Sequence, residues 1–119
     1  SEHLGAIDEL DISPFDLVII NLYPFFKTVQ SGASFEECIE QIDIGGPTIL
    51  RGAAKNHSSV ATISSPNQYD ELIAAIQNGG FTLDARKDLA MKSFIATAEY
   101  DMAIANWLAQ GNEFPKWFE

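Results

Sequence analysis

Hydrophobic and polar positions follow two alternating periods along the chain. "DLVIIN" (16–21) is a short Val/Ile run with a polar residue at each end, the pattern of a strand buried on both faces of a parallel sheet. "SVATIS" (59–64) is a second, weaker run of the same kind. Between them, "SFEECIEQI" (34–42) switches to a helical period. Phe35, Cys38, Ile39 and Ile42 fall at i, i+3, i+4 and i+7, and Ser34 and Glu37 have capping-box spacing. Cys38 is thereby a small core residue rather than a reactive one.

A second helix follows Gly45-Gly46, a flexible turn, with Pro47 as its expected first residue. Ile49, Leu50, Ala53 and Ala54 make its apolar face, and Thr48, Arg51 and Lys55 its polar one. Ser65-Pro66 opens a third helix with Tyr69, Leu72, Ile73 and Ile76 as core face and Gly79-Gly80 as its stop. Thr82 caps a long helix from about 83 to 109. Its expected apolar stripe is Leu89, Met91, Phe94, Ile95, Ala98, Met102, Ala105 and Leu108. The tail "GNEFPKWFE" (111–119) has no period and reads, from about 110, as a linker towards another domain.

Strands alternating with helices predict an α/β fold, a parallel sheet flanked by helices. Two strands make a poor sheet, so the rest is expected from residues upstream: a partial domain lacking its N-terminal half. The chain has 119 residues, 46% of them hydrophobic and 20% charged, a globular composition. No apolar run approaches the roughly 18 residues that span a bilayer, and a single cysteine excludes an internal disulfide framework. Both fit a cytoplasmic protein away from membranes. A net charge of −10 repels polyphosphate and argues against nucleic-acid binding.

"NLYPFF" (21–26) lies at the carboxyl end of the first strand, where open parallel sheets place ligands. Asn21 offers an amide and Tyr23 a phenol; equally, Tyr23, Phe25 and Phe26 serve as core aromatics. Asp43 precedes a glycine turn and a helix N-terminus that favours an oxyanion or carbonyl oxygen, or simply forms the turn. Arg51 and Lys55 make a local cation pair if they enclose a small-anion cleft; otherwise they complement the helix dipole. His3 and His57 are too far apart in sequence to give metal-ligand spacing, and no phosphate loop, dinucleotide fingerprint, nucleophile elbow or zinc signature is present.

"DLVIINLYPFFKTV", "EQIDIGGPTILRGAAKNH" and "ARKDLAMKSFIATAEYDMAIANWL", in that order, resemble the bifunctional purine biosynthesis protein family, which joins an IMP cyclohydrolase to an AICAR formyltransferase. The resemblance covers about residues 7–109. It implies that 1–109 is the C-terminal part of a cyclohydrolase domain with a methylglyoxal-synthase-like fold, and 110–119 the crossing to a formyltransferase domain outside this chain. The implied reaction closes the purine ring of FAICAR to give IMP and water, with Tyr23, Asp43 and Lys55 as catalytic residues. Ile20, Asn21, Asp43, Ile44 and Gly45 would contact the substrate. No metal or cofactor is implied for ring closure; 10-formyltetrahydrofolate would serve the formyltransferase. A homodimer is implied, and the chain alone is expected to be nearly inactive because the family's phosphate-binding loops lie upstream. The competing expectation is a non-catalytic α/β interaction or ligand-binding module.

Overall fold

The computed structural model describes residues 16–110; the segment expected to be a linker lies outside them apart from residue 110. The elements run β1 (Asp16–Ile19), α1 (Phe25–Gln30), α2 (Phe35–Glu40), α3 (Gly45–Lys55), β2 (Val60–Ile63), a 3-10 turn (Pro66–Gln68), α4 (Tyr69–Gln77) and α5 (Leu83–Ala109). β1 and β2 pair in parallel, with Asp16 opposite Val60 and Ile19 opposite Ile63. Ile20 N–H extends the ladder to the Ile63 carbonyl at 2.9 Å. This is the expected α/β arrangement, with α3 and α5 packed on β2.

The local punctuation acts as the sequence reads. Ser34 and Glu37 form a reciprocal capping box, each bond 3.1 Å long. The Ser34 backbone N–H, and then its hydroxyl, hold the Glu37 carboxyl below the usual carboxylate range. Because ionised Glu37 is favoured in the folded form, its support of this turn is present above the ordinary carboxylate pKa and is lost as pH falls through the depressed folded value. Thr82 accepts from Ala85 N–H at 3.1 Å and starts α5. α4 ends in a Schellman motif: Gly80 N–H reaches Ala75 O at 2.7 Å and Gly79 N–H reaches Ile76 O at 3.4 Å. Gly79 sits at φ +90°, a conformation that favours glycine.

Burial departs from the expected pattern in both strands. β1 exposes Leu17 and Ile19, whereas the weaker-looking β2 is buried along its whole length. Among the described residues β1 has one strand neighbour, and β2 lies under two helices. α1 was not anticipated; Pro24 ends the extended segment and the chain turns into a helix there. Of the "NLYPFF" aromatics, Phe25 alone is core; Tyr23 and Phe26 are exposed. α3 starts at Gly45, two residues before Pro47.

The largest correction concerns α5. Its buried positions are Arg86, Leu89, Ala90, Ser93, Thr97 and Tyr100, a helical stripe rich in polar residues, while Met91, Phe94, Ile95 and Leu108 face outward. Each polar member has a partner that offsets its desolvation. Ser93 Oγ lies 2.8 Å from Thr62 Oγ1 and 2.9 Å from Leu89 O. Both bonds are made if Ser93 donates to the carbonyl and accepts from Thr62. In α4 the buried pair is Leu72 and Ala75, and Ile73 and Ile76 are exposed.

Two apolar clusters result. One joins Ala61 and Ile63 of β2 to Leu72, Ala75, Phe81 and Leu89. The other joins Phe25, Cys38 and Tyr100, bordered by Trp107, and ties α1 and α2 to α5. Phe25 meets Tyr100 and Trp107 edge-on, at centroid separations of 6.4 and 5.1 Å. Cys38 is buried, as its helical position indicates. This second cluster is the floor beneath the candidate site.

Candidate active site

Beyond the carboxyl end of β1 lies a groove of about 530 Å³ lined by Tyr23, Thr28, Ser31, Ala33, Glu37, Gln41, Asp43 and Tyr100. Its volume suits a small organic ligand. It draws its walls from α1, α2, the turn before α3 and the middle of α5, so residues far apart in sequence meet there. Tyr23 reaches it because Pro24 turns the chain away from the strand. The phenol is left largely in solvent, 65% exposed.

Asp43 is held by two hydrogen bonds. Its backbone N–H donates to the Tyr100 hydroxyl at 2.8 Å. Its Oδ1 accepts from Gly46 N–H at 2.8 Å. Ile44 already has helical angles, φ −96° and ψ −44°, so Asp43 is the residue that caps α3. The carboxylate folds so closely over the helix start that a Cβ on Gly46 would fall onto it, whereas a Cβ on Gly45 would meet nothing within 4 Å. A side chain at Gly46 would therefore push the carboxylate aside, whereas one at Gly45 would not. Gly46→Ala is expected to displace the carboxylate and cost about 1 kcal/mol in lost capping. Gly45→Ala should be neutral or stabilising by up to ~1 kcal/mol. Thermal melts of the two variants check this; equal effects would contradict the assigned geometry.

The groove contains two carboxylates, Glu37 and Asp43, and no cation. Arg51 and Lys55 lie outside this lining, so the groove is not a small-anion cleft enclosed by that pair. Both side chains are exposed on α3. Lys55 ends that helix, twelve residues beyond Asp43, or about 18 Å at 1.5 Å per residue. A four-carbon stem does not bridge that gap. The structure thus brings Tyr23 and Asp43 together and leaves Lys55 at the opposite end of α3.

The other anticipated contacts also lie outside the groove lining. Asn21 Nδ2 donates to the Tyr69 hydroxyl at 2.6 Å, Ile20 continues the strand ladder, and Ile44 and Gly45 adjoin Asp43 on the exposed helix start. His57 Nδ1 lies 3.1 Å from Ala54 O, in a local helix-end contact. Tyr100 was missing from the sequence-based site. The available signal was helical spacing: Tyr100 lies seven residues after Ser93 and three after Thr97. Among the described residues no group of His, Cys, Asp and Glu could hold a metal ion, and no helix is long and apolar enough to cross a membrane.

A parallel α/β layer with a polar groove beyond a strand's carboxyl end places the chain among the α/β domains, whose ligands sit beyond strand ends of this kind. The chain matches the MGS-like domain over residues 1–48 and the AICARFT/IMPCHase bienzyme over residues 53–119. It is 52% identical to the bifunctional purine biosynthesis protein PurH of Mycobacterium marinum and, equally, to that of Mycobacterium ulcerans. Each alignment covers 98% of this chain and 24% of the relative, so the chain spans about a quarter of those proteins. A solved structure described as the crystal structure of ForH superposes with a TM-score of 0.67 at 31% identity, covering 93% of this chain and 59% of that one. The chain belongs to the AICARFT/IMPCHase bienzyme family.

Proposed function

We propose that this segment supplies part of a cytoplasmic IMP cyclohydrolase site that closes the purine ring of FAICAR to give IMP and water. The observation that carries the reading is the shared groove: a phenol and a carboxylate from separate segments line one cavity of ligand size. Family membership sets which reaction is meant.

In this reading the carboxamide nitrogen of FAICAR attacks the formyl carbon, and the carbonyl electron pair moves to the formyl oxygen. Oδ1 of Asp43 is engaged by Gly46 N–H, which leaves Oδ2 to take a proton from the attacking nitrogen. Tyr23 donates a hydrogen bond to the oxyanion as it forms. The oxygen departs as water, carrying one proton from the carboxamide nitrogen and one from the formamido nitrogen. Ring closure needs no metal or redox cofactor; 10-formyltetrahydrofolate belongs to the formyltransferase reaction of the bifunctional protein.

The acidic groove favours one orientation of the ligand. A phosphate beside Glu37 and Asp43 is electrostatically unfavourable, so the base edge enters here and the phosphate is held by residues outside this groove. In this reading Lys55 acts from a second copy of the chain. Asp43 and Lys55 stand six residues either side of Ile49, which is 57% exposed. An antiparallel pairing of α3 with its copy about Ile49 sets each Asp43 near the partner's α3 C-terminus, with charges of opposite sign facing. Gly45 and Gly52 leave that helix face open to a close approach.

Turnover of FAICAR by the full-length protein tests the function. Tyr23→Phe, which removes one hydroxyl from an exposed ring, should lower kcat by about 10²–10³-fold, as loss of an oxyanion donor does. No nucleotide binding and no turnover would favour the non-catalytic interaction module instead.

A further inference from the structure

Tyr100 is 7% exposed, and its ring lies in the apolar cluster against Phe25 while its hydroxyl emerges in the groove. The bond to Asp43 has an unambiguous direction. A backbone N–H only donates, so the Tyr100 oxygen accepts, at 2.8 Å. A phenol carries one proton of its own. Among the described residues no group accepts that proton, and the bond to Asp43 does not use it. Tyr100 lines the groove shared by Tyr23 and Asp43, where a bound ligand could accept it.

We propose that Tyr100 positions Asp43 and presents its own hydroxyl proton to the ligand, favouring a carbonyl or other neutral oxygen or ring-nitrogen acceptor. Resting on the cyclohydrolase reading, this adds a residue to that site. Two features make the arrangement rigid. The ring is fixed edge-on against Phe25, 6.4 Å between centroids, in the middle of a 27-residue helix. The Asp43 carboxylate is fixed from the other side by Gly46 N–H. Backbone and side chain of Asp43 are thus each tied to a different element, α5 and α3. A shift of α5 along its axis would move Asp43 relative to Tyr23.

The acceptor preference follows from charge. Glu37 and Asp43 already line the groove without a cation, so an anionic partner for Tyr100 is disfavoured. A neutral carboxamide or ring edge presents acceptors without adding negative charge. Tyr23 and Tyr100 then offer two donors and Asp43 one acceptor, a set able to read a flat heteroaromatic amide by hydrogen bonds.

Tyr100→Phe in the full-length protein separates this role from packing, because the ring is kept and the hydroxyl alone is lost. We expect kcat to fall about 10-fold or more with the melting temperature nearly unchanged, since charge-free donors aimed at a reacting ligand contribute at that level or above. The Asp43 amide should also exchange faster with solvent, an effect that packing alone does not cause. Tyr100→Leu should instead lower both stability and activity. Unchanged kcat and unchanged Asp43 amide exchange in Tyr100→Phe would overturn the proposal, provided Asp43→Asn in the same assay is impaired. If Asp43→Asn retains full turnover, the cyclohydrolase reading of this groove fails instead, and the amide exchange alone decides the Tyr100–Asp43 link.

Discussion

Asp43→Asn is expected to lower ring closure by about 10²–10⁴-fold, the range for loss of a positioned general base. The substitution is informative because the asparagine carbonyl can still cap α3 through Gly46 N–H, so the fold persists while the charge is removed. Lys55→Ala should also be impaired, though Lys55 lies at the far end of the helix. Mixing the two inactive variants under conditions of subunit exchange then decides how the site is composed. If Lys55 acts across a two-fold axis, mixed dimers contain one site with both residues, and activity returns to roughly a quarter of the wild-type rate. A mixture as inactive as its components places Asp43 and Lys55 in the same chain's site, or removes Lys55 from it.

Arg86→Leu is expected to destabilise the domain by about 3 kcal/mol or more, because a buried cation bonded to several carbonyls cannot be replaced by a side chain without donors. Arg86 is 3% exposed and spans three carbonyls: Nε to His57 O at 2.8 Å, Nη1 to Phe81 O at 2.6 Å and Nη2 to Ser58 O at 3.3 Å. It thereby ties α5 to the turn that follows α3 and to the residue that precedes α5's cap. At ~4–8 °C per kcal/mol for a domain of this size, the melting temperature should fall by at least ~12 °C. Arg86→Lys should recover little, since an ammonium lacks the planar fork that meets three acceptors at fixed angles. Lys92→Ala provides the contrast. Its 2.9 Å contact with Asp88 is an exposed i,i+4 pair worth at most ~0.5 kcal/mol. Comparable melting shifts for Arg86→Leu and Lys92→Ala would show that the three carbonyl bonds contribute no more than a surface ion pair.

These residues also mark where reading the sequence succeeds and where it stops. The Ser34–Glu37 capping box, the Thr82 cap, the glycine stop after α4 and the parallel α/β class were all legible. Each depends on groups within a few residues of one another, or on a hydrophobic run. The face of α5 was not legible. Most of its large apolar residues face outward, yet the packed side carries Arg86, Ser93, Thr97 and Tyr100 beside Leu89 and Ala90. What reverses the expectation is partners 29 to 57 residues away in sequence: His57 for Arg86, Thr62 for Ser93, Asp43 for Tyr100. A polar side chain is buried when a matching group awaits it, and periodicity does not contain that information.

The candidate site divides the same way. Asp43 before its glycines and Tyr23 at a strand end are visible in sequence, and belonging to the bienzyme family says which chemistry to seek there. That Gly46 rather than Gly45 lies against the Asp43 carboxylate, that Tyr100 completes the groove and that Lys55 lies about 18 Å away along α3 required the folded chain. By itself the sequence determined α2 to α5, the caps at Ser34 and Thr82 and the parallel strands, though not α1, because short-range hydrogen bonds and repeating apolar positions are written in adjacent residues. The tertiary structure alone decided which side chains share the groove, because that depends on how α1, α2 and α5 pack around Phe25 and on distances no local pattern encodes.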